Sequence, residues 1–273
     1  MTAKSYLFPL LLACLAVTSF GQTESNIQSP ARPYDLDIAA PVQLAASDDA
    51  AKTFQSEILP GMLKLANQSM SEAKTVANFN AISLDPSKMV LAFDSTVRVY
   101  FLSEGAGYRN SLGISTTGEG PLGEDAQLIF PDASSAAGFG GTGSLVRTSK
   151  EPLAAGDFVD LGGYKAGSSL DFFLIANGAT GGKDFYSTVV SLNSDGIVHA
   201  VSLASNGSAY LIIGFEDLKD GGDRDYNDLL FAVEIGRENV SNLVNLGAPE
   251  PSLALGSLVA MAGLAAFSRR RAA

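Results

Sequence analysis

The chain is nearly devoid of soft metal ligands. Cys14 is the only cysteine, and it lies in an apolar leader. The remainder therefore has no thiol, no disulfide and no cysteine-based metal site. His199 is the only histidine. Zinc, copper and iron centres built on His or Cys are thereby nearly excluded. A serine or cysteine hydrolase would have a single imidazole to serve as base. His199 sits in GIVHAVSL, a strand-like run, where a structural role is expected. Tryptophan, a common sugar-stacking residue, is absent. Charge is sparse at 17%, and basic charge sparser: 18 Lys and Arg stand against 29 Asp and Glu, a formal net charge of −11. That argues against nucleic acid as a partner. It suits a cation-binding or well-solvated exported protein. With 46% hydrophobic residues, a sizeable core is available in the 273-residue chain.

Against that background the stretch Gly214 to Glu234, GFEDLKDGGDRDYNDLLFAVE, stands out. Glu216, Asp217, Asp220, Asp223, Asp225 and Asp228 carry carboxylates, Asn227 adds an amide oxygen, and only Lys219 and Arg224 oppose them. Such crowding is unfavourable unless water or a cation offsets it. Tyr210 to Phe215 before it is apolar and β-branched; after it, Leu229, Phe231, Val233 and Ile235 fall on one face of a strand. Gly221 and Gly222 suit a tight turn. The reading is strand, acidic loop, strand.

Oxygen ligands at alternate positions suit a hard cation. Asp223, Asp225 and Asn227 take the first, third and fifth places of a calcium loop. Glu234 occupies the twelfth place, but Asp228 stands where an EF-hand needs glycine, and an extended Leu229–Ile235 carries Glu234 away. Glu216 and Asp217, returning across the turn, and Asp228 are better candidates to complete a calcium site. The competing reading is an Asp-rich turn whose side chains bond their own backbone. Glycosidase carboxylates usually come from separate elements, whereas these share one loop, so no enzyme is expected.

The GFEDL…GGDxDYND signature resembles a family of exported bacterial domains of unknown function. Thr96 to Gly113 and the run from Leu170 to His199 are similar to it as well. The resemblance implies a β-sandwich that binds calcium.

The ends look like targeting segments. Residues 1–21 read as a secretory signal, with Lys4, the apolar run Tyr6 to Val17 and small residues at Ser19 and Gly21. LLAC, ending at Cys14, is a weaker rival as a lipobox. At the other end, Pro249-Glu250-Pro251 precedes an apolar run, Leu253 to Phe267, and then Arg269, Arg270 and Arg271. This arrangement resembles the PEP-CTERM sorting tail of Gram-negative bacteria. The resemblance implies a short transmembrane helix that anchors transiently, an exosortase-like processing enzyme in the inner membrane as partner, and an association with exopolysaccharide. Fifteen helical residues at ~1.5 Å each span roughly 22 Å, short of the ~30 Å hydrocarbon core.

Between the ends, residues 22–87 read as a flexible lead-in followed by two short amphipathic helices. Ser47 is placed as a cap, Ala51, Phe54 and Ile58 form one stripe, Pro60-Gly61 a break, and Met62, Leu65, Met70, Ala73 and Ala77 a second stripe. From about Lys88 the period moves towards two, with glycine-rich turns between short apolar runs. That pattern predicts an all-β domain over 88–238, an antiparallel sandwich of jelly-roll type. Residues 239–248 read as a linker and 249–273 as the tail. GFGGTG, Gly138 to Gly143, matches G-x-G-x-x-G but lacks the strand before and helix after that a dinucleotide site needs. The function expected is a non-enzymatic surface or matrix protein with a structural calcium ion. The alternative is a glycan-binding or adhesive module of the exopolysaccharide layer.

Overall fold

The computed structural model describes residues 27–70, 81–139, 146–205 and 207–247. The signal segment, the Pro249-Glu250-Pro251 motif, the C-terminal hydrophobic helix and Arg269 to Arg271 lie outside these residues. So do Ala73, Ala77 and most of GFGGTG. No helix among the described residues is long and apolar enough to cross a membrane.

The described chain is mostly β, in two antiparallel sheets. The strands are β1 (Ala81–Leu84), β2 (Ser95–Ser103), β3 (Ser111–Ser115), β4 (Gln127–Phe130), β5 (Phe158–Tyr164), β6 (Asp171–Ile175), β7 (Phe185–Ser187), β8 (Ala200–Ser205), β9 (Tyr210–Phe215) and β10 (Leu229–Glu234). The larger sheet has the order β1-β8-β9-β10-β2-β5 and the smaller β4-β3-β6-β7. One apolar cluster draws on both: Val99, Phe101, Phe231 and Val233 from the larger, Leu112, Phe172 and Leu174 from the smaller. Phe172 and Phe231 meet with ring centroids 5.2 Å apart.

The six-stranded sheet is covered on its other face too. Alternation along β10 sends Phe231 and Val233 into the shared core and Leu230 and Ala232 to the opposite side. There they meet the N-terminal helical segment: α1 (Asp49–Thr53), a π-helical turn (Phe54–Ile58) and α2 (Leu59–Ser69). Phe54 stacks on Tyr100 of β2 with centroids 3.7 Å apart and planes at 10°. The cap is Asp48, not Ser47: the Asp48 side chain accepts the Ala51 N–H. Pro60 does not end a helix. It stands in the first turn of α2, where its missing N–H is tolerated, and the wide turn before it keeps the chain helical.

The lead-in, read as flexible, is packed where it is described. Val42 is buried, Ile38 bridges Leu128 and Gln43 bridges Phe158. Tyr34, Leu36 and Ile38 lie over the outer face of the smaller sheet, against Leu128, Phe173 and Ile175. The stretch read as a linker begins inside a helix, α3 (Arg237–Gly247), whose Val240 and Leu243 join the shared core. Asn239 fixes this helix to the segment that leads into β2: its Oδ1 accepts the N–H groups of Ala92 and Phe93 at 2.8 and 2.9 Å.

Candidate metal centre

The acidic loop joins two hydrogen-bonded neighbours. Phe215, the last residue of β9, pairs with Leu229, the first of β10. Both strands are buried because their side chains feed two cores, so the intervening thirteen positions, 216–228, begin and end on rigid supports. The sheet's ladder continues one step beyond β9, where the Glu216 N–H donates to the His199 carbonyl at 2.9 Å.

The loop turns back at Gly221 and Gly222. Gly222 has φ 42° and ψ −127°, and a Cβ there would lie 1.9 Å from Glu216 Oε1. Only glycine both adopts that backbone and leaves room for the Glu216 carboxylate. Beyond it, Arg224 and Tyr226 hold positive φ values of 63° and 56°. This alternation throws Asp223 and Asp225 towards the same side. The chain also makes successive Asx turns: the Asp225 N–H donates to Asp223 Oδ1 at 3.4 Å, and the Asn227 N–H to Asp225 Oδ1 at 3.1 Å. Left-handed geometry at two non-glycine residues costs about 1 to 2 kcal/mol each, and here it aims carboxylates.

Glu216, Asp223 and Asp225 converge, each offering an oxygen within 4.8 Å of the others. Glu216 is 1% exposed and Asp225 7%, whereas Asp223 faces solvent. Glu216 Oε2 is buried and has no hydrogen-bond partner. Neither Lys219 nor Arg224 forms an ion pair with the cluster among the described residues. Burial, reinforced by Asp228 and Asp223, pushes the Glu216 carboxyl up to about 8. Burial likewise lifts Asp225 to about 6, with Asp223 and Asp228 adding to the shift. Asp228 rises to about 6 through burial and the charge of Asp217, and burial raises Asp217 as well. Without a cation the cluster holds its charges at a cost.

The other expected ligands stand one step back. Asp228 Oδ2 accepts the Asp217 N–H at 2.8 Å, and Asp217 Oδ2 accepts the Asn110 side-chain amide at 2.7 Å. Asn227 does not present its oxygen to the cluster. Its Nδ2 donates to Asp225 Oδ2 and, at 3.3 Å, to the Met70 carbonyl, while its Oδ1 lies against Gly105. The amide thus orients Asp225 and ties the loop to the end of α2. Glu234, at the far end of β10, is paired with Tyr210 across the ladder and is remote from the turn, as its strand position requires. Two groups that the sequence does not mark as part of the site complete the surroundings, Asn110 and Asp195. Asn110 ends the β2–β3 connection and carries no local signal of its role; Asp195, in an Asp-Gly turn, reads as turn chemistry alone.

Residues 164–236, from the end of β5 through β10 and thus including the whole loop, match a domain of unknown function (DUF4114). No curated protein and no solved structure matches the chain.

Proposed function

We propose that this is an exported, non-enzymatic cell-surface or extracellular-matrix protein whose β domain is stabilised by one calcium ion in the β9–β10 loop. The observation that carries the calcium reading is Glu216 Oε2. It is a buried carboxylate oxygen without a donor, on the residue whose carboxylate converges with those of Asp223 and Asp225. An orphaned buried acceptor is costly, and a cation satisfies it. The donors are all oxygen, as a hard cation requires. Glu216, Asp223 and Asp225 would hold the ion, with Asp217 and Asp228 next to the shell. Asn227 would position Asp225. The bound ion supplies charge neutralisation and a cross-link between the two strands, in a chain whose only cysteine is Cys14.

The finer architecture belongs to the same reading. The two sheets act as the halves of a jelly-roll-like sandwich, with the acidic loop at one end. Export and sorting rest on the sequence of the termini: a leader over 1–21, and Pro249-Glu250-Pro251 with Arg269 to Arg271 as the motif an exosortase-like enzyme processes after transient anchoring.

Thermal melts of the full chain in chelator and in millimolar calcium test the calcium reading. At calcium about 100 times the dissociation constant, linkage gives roughly 2.7 kcal/mol and raises Tm by roughly 5 to 10 °C. Magnesium shifts it less, because it demands a tighter octahedral site and keeps its waters. Asp225→Ala removes most of the shift, and Asp220→Ala leaves it in place. Superimposable melts in chelator and calcium would mean that the loop is an acidic turn only.

A further inference from the structure

We infer that His199 and Asp195 form a positioning clamp for the acidic loop and set its cation affinity without touching the ion. The inference rests on the calcium reading above. His199 lies one residue before β8, opposite Glu216, and grips that residue twice. Its carbonyl accepts the Glu216 N–H at 2.9 Å, and its ring Nδ1 donates to the Glu216 carbonyl at 3.1 Å. The peptide planes on both sides of the Glu216 Cα are thereby fixed, and with them the direction in which its side chain leaves the backbone.

The ring's second nitrogen reaches the other arm of the loop. His199 Nε2 is hydrogen-bonded to Asp195 Oδ2 at 2.9 Å, and the same oxygen accepts the Asp220 N–H at 2.8 Å. One imidazole and one carboxylate thus connect Glu216 to Asp220, across the segment that leads into the Gly221–Gly222 reversal. The clamp is rigid. The His199 side chain is fully buried, that of Asp195 is 3% exposed, and Tyr186 of β7 stacks on the ring with centroids 3.8 Å apart at 16°. Where the reversal sits decides where Asp223 and Asp225 stand relative to Glu216. Groups that orient metal ligands in this way govern affinity as strongly as many ligands do.

A buried polar network of purely structural worth would lower stability when broken but leave calcium affinity unchanged. Calorimetric titration of calcium into the full chain, after chelator treatment, separates the two roles when run beside melts in chelator. The set is wild type, His199→Gln, Asp195→Asn and Ile114→Val, the last a core change in β3 remote from the loop. The clamp predicts a calcium Kd raised roughly 10- to 100-fold in His199→Gln, and a smaller rise in Asp195→Asn. Ile114→Val lowers Tm and keeps the wild-type Kd. A wild-type Kd in His199→Gln overturns the proposal; if that variant does not fold, a wild-type Kd in Asp195→Asn overturns it. Failure of the wild type itself to bind calcium refutes the calcium reading instead. Hydrogen exchange at the Glu216 and Asp220 amides then decides the clamp, and wild-type protection in both variants would sink it.

Discussion

Gly105 and Asn227 share a space with no room for a methyl group. The Gly105 N–H donates to the Asn227 carbonyl at 3.0 Å, and a Cβ on Gly105 would lie 2.4 Å from Asn227 Oδ1. Gly105→Ala must therefore displace the residue that orients Asp225 and holds the Met70 carbonyl. Overpacking of this kind costs about 1 to 3 kcal/mol. A urea melt should show that loss, and the calcium-dependent gain in Tm should shrink with it. An unchanged midpoint would mean that the loop yields freely at this contact.

Arg98 fastens the helical segment to the sheet. Its guanidinium pairs with Asp48, the cap of α1, at 2.9 Å, and also with Asp160 of β5. It lies 4.2 Å from the Phe158 ring centroid. The Arg98 side chain is only 16% exposed, so Arg98→Met leaves two carboxylates without their shared cation. The expected loss is about 2 kcal/mol. Arg98→Lys should recover only part of it, because an ammonium cannot span both carboxylates or stack on Phe158. Chemical denaturation of the three proteins at one pH checks the order.

Glu104 gives the domain a pH dependence of defined sign. Burial, helped by the charges of Glu151 and Asp132, raises its carboxyl from 4.5 to about 7. The folded state therefore binds this proton more tightly than the unfolded state. Below about pH 4.5 the residue is neutral in both states; between there and pH 7 the unfolded state ionises first and stability falls with rising pH. Glu104→Gln keeps the oxygen that accepts the Ser135 N–H and removes this slope. Melts of both proteins in chelator from pH 5 to 8 should converge at the acid end and diverge at the basic end. Parallel curves would contradict the assignment.

The sorting reading makes a cellular prediction. Glu250→Ala within Pro249-Glu250-Pro251 should block processing and leave the uncut chain in the inner membrane. Fractionation and intact mass of wild type and variant check it. Identical mass and location would remove the motif from any role in sorting.

Where one residue type had one dominant preference, the sequence was informative. Val99, Phe101, Phe231 and Val233 alternate and are buried on the inner face, and the glycine pair at 221–222 is the reversal it looked like. What stayed hidden was decided by partners far along the chain. Strand alternation alone puts Tyr100, Leu230 and Ala232 on the face away from the shared core; a helical segment that ends more than twenty residues upstream of β2 buries them. The lead-in reads as flexible because polar residues and three prolines dominate it, yet Tyr34, Leu36 and Ile38 seat it on the smaller sheet and Val42 joins the shared core. Helix α3 was obscured by its polar residues, because Val240, Leu243 and Val244 provide a short apolar stripe. At the site, oxygen chemistry was legible but orientation was not. Nothing local tells that Asn227 turns its amide nitrogen, not its oxygen, to Asp225, or that the chain's one imidazole holds Glu216.

The place of β10 between β9 and β2 has a consequence for biosynthesis. Until residue 234 has left the ribosome, the larger sheet exists only as two unconnected pieces, β1-β8-β9 and β2-β5. The strand that unites them is the last among the described residues, and its partner β2 was completed more than a hundred residues earlier. Contacts so distant in sequence close slowly. Completion of the larger sheet therefore waits for β10, although every other strand of it precedes β10 in the chain.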